Sequence, residues 1–415
     1  MAGALIVGTG DIHIDGGRAG GINPATGVRR AHEHTHQVWL WICRSAADQD
    51  AVDAVVVGGD LYLNGWPRAE AVEMIADGAR VLTAAGIPLI VQDGNHEWIS
   101  RPTGQRSPLE HLRDLPGVTV VTQPEVVTLT SGVQVACLPW PRRSELLEPG
   151  EGEGLTPEEI DHLVADRAVE CIDRLAEQVN PERGPVLLSA HATVGDAVVG
   201  SSRRGSEMSL AELFAEPVIP LADIDRDPWQ HVLLSHIHRR QPLGDRCWYV
   251  GSPDRLDFSD QGVDKAVSVL HIPDDGTIAS VDALPTPARQ FATIVVPDGC
   301  SGDDIAGLFP DTIAGTVVKL ELPPGTDMAL AAHARRVADA AGAVVARIVA
   351  PPAARPVGTD RPTVDNDIGP LEGLTLWLAA RGTAPKDADR LKARAAHLLD
   401  AADPQATGPA VTPIA

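Results

Sequence analysis

Short apolar runs punctuate the first two thirds of the chain, each bounded by glycine, proline or polar residues: Leu5 to Val7, Ala54 to Val57, Pro88 to Val91, Val133 to Leu138, Val186 to Leu188 and Val232 to Leu234. Their length and β-branched content predict buried strands. Between them the spacing becomes helical. Val72, Ile75, Ala79 and Leu82 line one helix face ahead of Gly86, a residue suited to cap it. Thr156-Pro157-Glu158-Glu159 has the form of a capping box with proline in the first helical position, opening a helix through Ile160, Leu163, Val164, Cys171 and Leu175. Alternating strands and helices predict an α/β layered domain over residues 1–285.

A smaller α+β unit is expected over 286–350. Phe291 to Val296, Val317 to Leu322 and Val344 to Val349 read as strands, with helical stretches near Asp303 to Leu308 and Met328 to Ala341. Pro351-Pro352, Pro356 and Pro362 predict a stiff linker over 351–368. Leu371, Leu374 and Leu378, then Leu391, Ala395 and Leu398, predict two amphipathic helices over 369–402, followed by a disordered tail over 403–415.

Composition narrows the function. Lysine plus arginine number 34 against 57 for aspartate plus glutamate, a net charge of -23, which excludes a polycation that coats nucleic acid. The lysines are Lys265, Lys319, Lys386 and Lys392, and none lies in a G-x-x-x-x-G-K-[ST] loop, so an ATPase of the Walker type is excluded for this chain. Cys43, Cys137, Cys171, Cys247 and Cys300 form no C-x-x-C pair, which argues against a zinc ribbon or a disulfide framework and for reduced thiols. No apolar stretch approaches the roughly 20 residues of a membrane helix. A soluble, cytoplasmic protein is expected.

The candidate chemistry sits at strand ends. Asp11 and His13 follow the first apolar run, Asp60 the second, Asn95 and His96 the third, His191 the fifth, and His236 and His238 the sixth. In open α/β sheets, ligands bind beyond the carboxyl ends of the strands, so these residues should converge. Mixed carboxylate, imidazole and amide donors, more than one ion needs, point to two metal ions sharing a carboxylate. His32, His34 and His36 read instead as a solvated helix start, and the glycines at 16, 17, 20 and 21 as a loop rather than a phosphate cradle.

Gly10-Asp11-Ile12-His13, Gly59-Asp60, Gly94-Asn95-His96-Glu97, His191 and His236-Ile237-His238 occur in order, and this set resembles the D-x-H, GD, GNH[D/E], H and GHxH blocks of calcineurin-like metallophosphoesterases. Two further stretches, His236 to Gln241 and Tyr249 to Phe258 (YVGSPDRLDF), resemble those of SbcD-type nuclease subunits and their archaeal and eukaryotic double-strand-break repair relatives. The resemblance implies a layered metallophosphoesterase domain, a small α+β capping domain and C-terminal helices that bind an SbcC-like ATPase. It implies that Asp11, His13, Asp60 and His238 hold one ion and Asp60, Asn95, His191 and His236 a second, with Asp60 as the bridge and manganese the preferred ion. His96 is then the candidate catalytic acid.

Three departures from the pattern stand out. Ser235 replaces the glycine of GHxH, Glu97 stands where many nucleases have aspartate, and Leu63 lies where some relatives carry a histidine. The expected activity is a manganese-dependent DNA exonuclease, with hairpin or single-strand endonuclease activity, acting as a homodimer through helices such as Arg68 to Ala85. Arg239, Arg240 and Arg255 are candidate DNA contacts, ahead of Arg142-Arg143 and Arg203-Arg204. The alternatives are a phosphodiesterase or phosphatase acting on nucleotides or phosphoproteins, and a non-catalytic scaffold that tethers a partner to DNA.

Overall fold

Alternate residues of single strands enter two different cores. Along Ala4–Thr9, Ile6 faces one core and Val7 the other. Along Ala54–Val57, Ala54 and Val56 alternate in the same way with Val55 and Val57. This is the two-residue period of a pleated strand covered on both faces, which is why these strands read as unbroken apolar runs. The computed structural model describes residues 3–49, 51–97, 106–195, 197, 216–273, 275, 277, 279–300, 304–350 and 369–402. The expected 351–368 linker, the expected 403–415 tail and Arg203-Arg204 lie outside them.

The first sheet has six strands in the order Ser280–Pro285, Ala266–Ile272, Ala4–Thr9, Ala54–Val57, Leu89–Gln92 and Val118–Val121, the last four mutually parallel. The second runs Gln241–Leu243, Cys247–Tyr249, His231–Ser235, Val186–His191, Gln134–Leu138 and Glu125–Thr128, with its central four parallel. Ile6, Val56 and Ile90 from the first sheet meet Val135, Cys137, Leu187 and Leu233 from the second in one core, so the sheets stack face to face. Helices Arg30–Ala47 and Ala69–Ala85 cover the outer face of the first sheet, with Trp39, Ile42, Ile75 and Leu82 over Val55, Val57, Leu89 and Val91. Helix Pro157–Gln178 covers the second sheet, with Ala168, Ile172 and Leu175 over Ala136, Leu188, Val232 and Leu234.

The result is a four-layer α/β sandwich. Each buried Leu, Ile or Val contributes about 1.5–3 kcal/mol, and a one-residue slip of any inner strand would exchange the two cores, so register is tightly held. The apolar stripe on Ala69–Ala85 is spent inside this monomer. Both helix ends predicted from sequence are present: Gly86 caps in the left-handed region at φ 72°, and Thr156 and Glu159 form a reciprocal capping box.

Three parallel strands, Phe291–Val295, Val317–Glu321 and Val344–Val349, form a further sheet. Helix Met328–Ala340 crosses between the last two and packs Ala334 and Ala338 on Val318, Leu320 and Val345. The chain falls into two compact units, residues 1–350 and 351–415. In the second, helices Pro370–Ala380 and Pro385–Ala402 pack on each other, with Leu371, Trp377 and Leu391 exposed. No helix among the described residues is long and apolar enough to cross a membrane.

Candidate metal centre

Five strands deliver the candidate ligands to one end of the sandwich. Three are neighbours in the first sheet and two in the second. At each end the chain turns sharply. Asp11, His13, Asp60 and His236 have φ of 50°, 44°, 55° and 102°, so four of the five non-glycine residues with positive φ among those described belong to the candidate site. Such conformations cost about 1–3 kcal/mol each and persist only where the surroundings impose them. Here Asp11 N–H donates to Gly59 C=O and His13 N–H to Asp60 C=O, both at 3.0 Å, locking the two turns together. At Gly94 a Cβ would lie 2.0 Å from Asp60 Oδ1, so only glycine lets the Asn95 loop come this close. Ser235 Oγ sits against the Cα faces of Gly10 and Gly58, where a Cβ on either glycine would collide with it.

Three overlapping groups result: Asp11, His13 and His238; His13, Asp60 and His96; and Asp60, His191 and His236. In each, the ligand atoms lie within 4.8 Å of one another. Asp60 Oδ2 stands 3.6 Å from His13 Nε2 and 3.5 Å from His191 Nε2, facing both sides. Asn95 Oδ1 lies 3.1 Å from His191 Nε2 and 3.1 Å from His236 Nδ1. All seven predicted ligand positions are thus brought together, with His96 at the rim, where its side chain is 37% exposed and its Nε2 is 3.9 Å from Asp60 Oδ2.

The donor chemistry fits divalent cations. His13 Nδ1 lies 3.1 Å from Tyr62 C=O and His191 Nδ1 2.7 Å from Gly58 C=O. Donating there leaves each Nε2 as a lone pair aimed inward. Burial drives His13 and His191 well below the ordinary imidazole range and lowers His238 too, so these rings stay neutral. Burial also raises Asp11, and raises Asp60 well above the usual carboxylate range, with the charges of Glu97 and Asp11 adding to the effect on Asp60. Buried carboxylates among imidazole lone pairs are costly alone and favourable around a cation.

The sequence reading underrated Glu97. Its buried carboxylate accepts the backbone N–H groups of Gly94, Tyr62 and Asp60 at 2.8, 2.9 and 3.0 Å, tying two ligand loops together, and burial raises it to about 7. Trp140, whose ring centroid is 4.8 Å from that of His236, was not anticipated either. Only its position just after an apolar run hinted at it.

The sequence family described as calcineurin-like phosphoesterase matches residues 4–240. The chain belongs to that family. As a calcineurin-like phosphoesterase it is a metal-dependent phosphoesterase, of a family that uses divalent metals. It is similar to the SbcD subunit of the nuclease SbcCD from two Escherichia coli strains, 25% identical over 279 residues, covering 65% of this chain and 67% of each relative. Among solved structures it is similar to "GAP50 the anchor in the inner membrane complex of Plasmodium", at 10% identity and a TM-score of 0.34, covering 69% of this chain and 90% of that one.

The arginines of this phosphoesterase divide. Arg239, beside His238, is exposed. Arg240 is half-buried with its guanidinium 4.5 Å from the Trp248 ring centroid. Arg255 departs from expectation. It is 6% exposed and its guanidinium donates to the carbonyls of Arg289 and Val263, so it braces the interior rather than facing solvent. Arg142 likewise is buried on Asp93 at 2.6 Å. The helix-start histidines diverge: His32 is buried rather than solvated, His34 is near Asp254, and His36 is 3.3 Å from Asp77.

Proposed function

We propose that this phosphoesterase is an SbcD-like DNA nuclease with two divalent ions, manganese by preference, and that it works with an SbcC-like ATPase in DNA break processing. The observation that carries the proposal is the complete donor set at the joined sheet ends, read with a nuclease-subunit likeness of 279 residues that is longer than the family match over residues 4–240. In this reading Asp11, His13, Asp60 and His238 would hold one ion and Asp60, Asn95, His191 and His236 the other. When bound, such a pair supplies a nucleophile at neutral pH and neutralises charge on the phosphoryl oxygens.

The chain's own groups do the rest. His96 Nδ1 lies 2.6 Å from Leu63 C=O. With Nδ1–H donating there, the ring would act as the imidazolium, its second proton on Nε2 facing the centre and the departing sugar oxygen. Arg239 offers a cation for the backbone, and Trp66, 63% exposed on the loop after Asp60, a flat face for a base. The C-terminal helices would carry the ATPase contact, and homodimerisation would use the solvent face of Ala69–Ala85, because its apolar face is occupied.

The net charge of -23 favours a second reading, a phosphodiesterase or phosphatase for nucleotides or phosphoproteins, since a strongly acidic chain repels a polyanion. Purified protein with manganese, offered linear duplex, hairpin DNA and a chromogenic phosphodiester side by side, separates the two. Cleavage of DNA supports the nuclease. Turnover of the small diester alone, with or without the ATPase, rejects it in favour of the second reading. With no turnover of any substrate, the scaffold alternative takes over.

A further inference from the structure

His236 is held from several directions. Its backbone N–H donates to both carboxylate oxygens of Asp11, at 2.9 and 3.1 Å, and the Trp140 ring flanks its face. Nδ1 points to Asn95 Oδ1, whereas Nε2 lies 3.2 Å from Glu216 Oε1. Glu216 belongs to none of the motifs read from the sequence. Its place comes from a small structural device beside the second sheet. Strand Val218–Ile219, two residues further on, pairs in parallel with Thr193–Val194, which begins two residues after His191. Tyr249 secures that segment, donating its hydroxyl to Ala192 C=O at 2.9 Å and accepting from Val194 N–H at 2.8 Å. Pairing there draws the Glu216 carboxylate, 14% exposed, against an imidazole that is 12% exposed.

His236 faces the centre the opposite way round from its neighbours. His13 and His191 have Nδ1 on backbone carbonyls and turn Nε2 inward. In His236, Nδ1 turns inward. A neutral imidazole has one N–H, and a carboxylate at Nε2 draws it there, leaving the Nδ1 lone pair for the group formed with Asp60 and His191. Such outer carboxylates fix ring orientation and raise ligand basicity.

We propose that Glu216 is a positioning residue that holds His236 as its Nε2–H tautomer and thereby strengthens one of the two cation positions, a role that rests on the metal-centre reading above. The test uses the full chain, stripped with chelator and labelled with 15N-histidine, as wild type, Glu216→Gln and Glu216→Ala. In the metal-free protein the imidazole spectrum should show His236 as a single Nε2–H tautomer, retained in Glu216→Gln and lost to a mixture in Glu216→Ala. Titration with manganese should then show about a 10- to 100-fold weakening at one site in Glu216→Ala, a smaller loss in Glu216→Gln, and the other site unchanged. Wild type that binds no manganese would sink the metal-centre reading itself. Wild type with two sites, and both variants matching it in tautomer and affinity, would overturn the Glu216 role alone. Equal weakening of both sites, or equal losses in the two variants with the tautomer unmoved, would also reject it, pointing to general destabilisation or direct ligation. Should Glu216→Ala not fold, the near-isosteric Glu216→Gln carries the decision: undiminished manganese affinity there overturns the proposal.

Discussion

His96 Nδ1 lies 2.6 Å from the backbone carbonyl of Leu63, the third residue after Asp60. That contact is to the main chain, so the Leu63 side chain takes no part in it. The orientation therefore survives replacement of the leucine side chain. Leu63→Ala is expected to leave turnover within about threefold, whereas His96→Ala should lower it by about two to four orders of magnitude and keep manganese stoichiometry by calorimetry. Native turnover in His96→Ala would remove it as the acid.

Asp60 is expected to be indispensable for metal and dispensable for folding. It faces both halves of the centre, and its burial beside Glu97 and Asp11 makes the charged form costly. Asp60→Asn should lose manganese at both positions, while the metal-free variant melts no lower than metal-free wild type at neutral pH. Two retained ions would refute the bridging assignment.

His231 should make the protein acid-sensitive. Its ring is buried, neither nitrogen has a hydrogen-bond partner among the described residues, and burial, aided by the charge of Arg240, lowers it to about 3. An unfolded histidine titrates near about 6.5. Both states are neutral above that value; as pH falls the unfolded chain takes up the proton first, so stability declines from about 6.5 down to about 3. His231→Phe should narrow this loss and shift the acid-unfolding midpoint lower, as followed by circular dichroism. An unchanged midpoint would mean that other groups govern it.

A buried ion pair joins the layered domain to the segment entering the three-stranded sheet. Asp254 is fully buried and accepts from Arg289 Nη2 at 2.8 Å and Nε at 3.0 Å, and from Thr35 Oγ1 at 3.0 Å. Arg289→Met alone leaves that carboxylate uncompensated and should cost about 3–5 kcal/mol in urea unfolding. Asp254→Leu combined with Arg289→Met should recover most of it, and additive losses would argue against the pairing.

The exposed Leu371, Trp377 and Leu391 of the C-terminal helices suit an amphipathic face that docks on another chain. Deleting everything after Pro362 should preserve metal-dependent hydrolysis of a small diester and abolish co-purification with an SbcC-like ATPase. Retained co-purification would relocate the contact.

Much of this protein was legible without coordinates, because its inner strands are covered on both faces and therefore appear as uninterrupted apolar runs such as Ala54 to Val57 and Val186 to Leu188. That the candidate ligands converge was equally legible, since parallel strands ending at one edge leave their following residues there. Edge strands such as Glu125–Thr128 and Ser280–Pro285 are only partly covered and carry no comparable run. What tertiary structure alone decided is which polar groups meet across sequence. Glu97 reaches three backbone N–H groups, Glu216 arrives through a two-residue strand pairing, and Arg255 turns inward to carbonyls. Those outcomes depend on hydrogen-bond partners from distant segments, a specification that neither periodicity nor residue type along one strand contains.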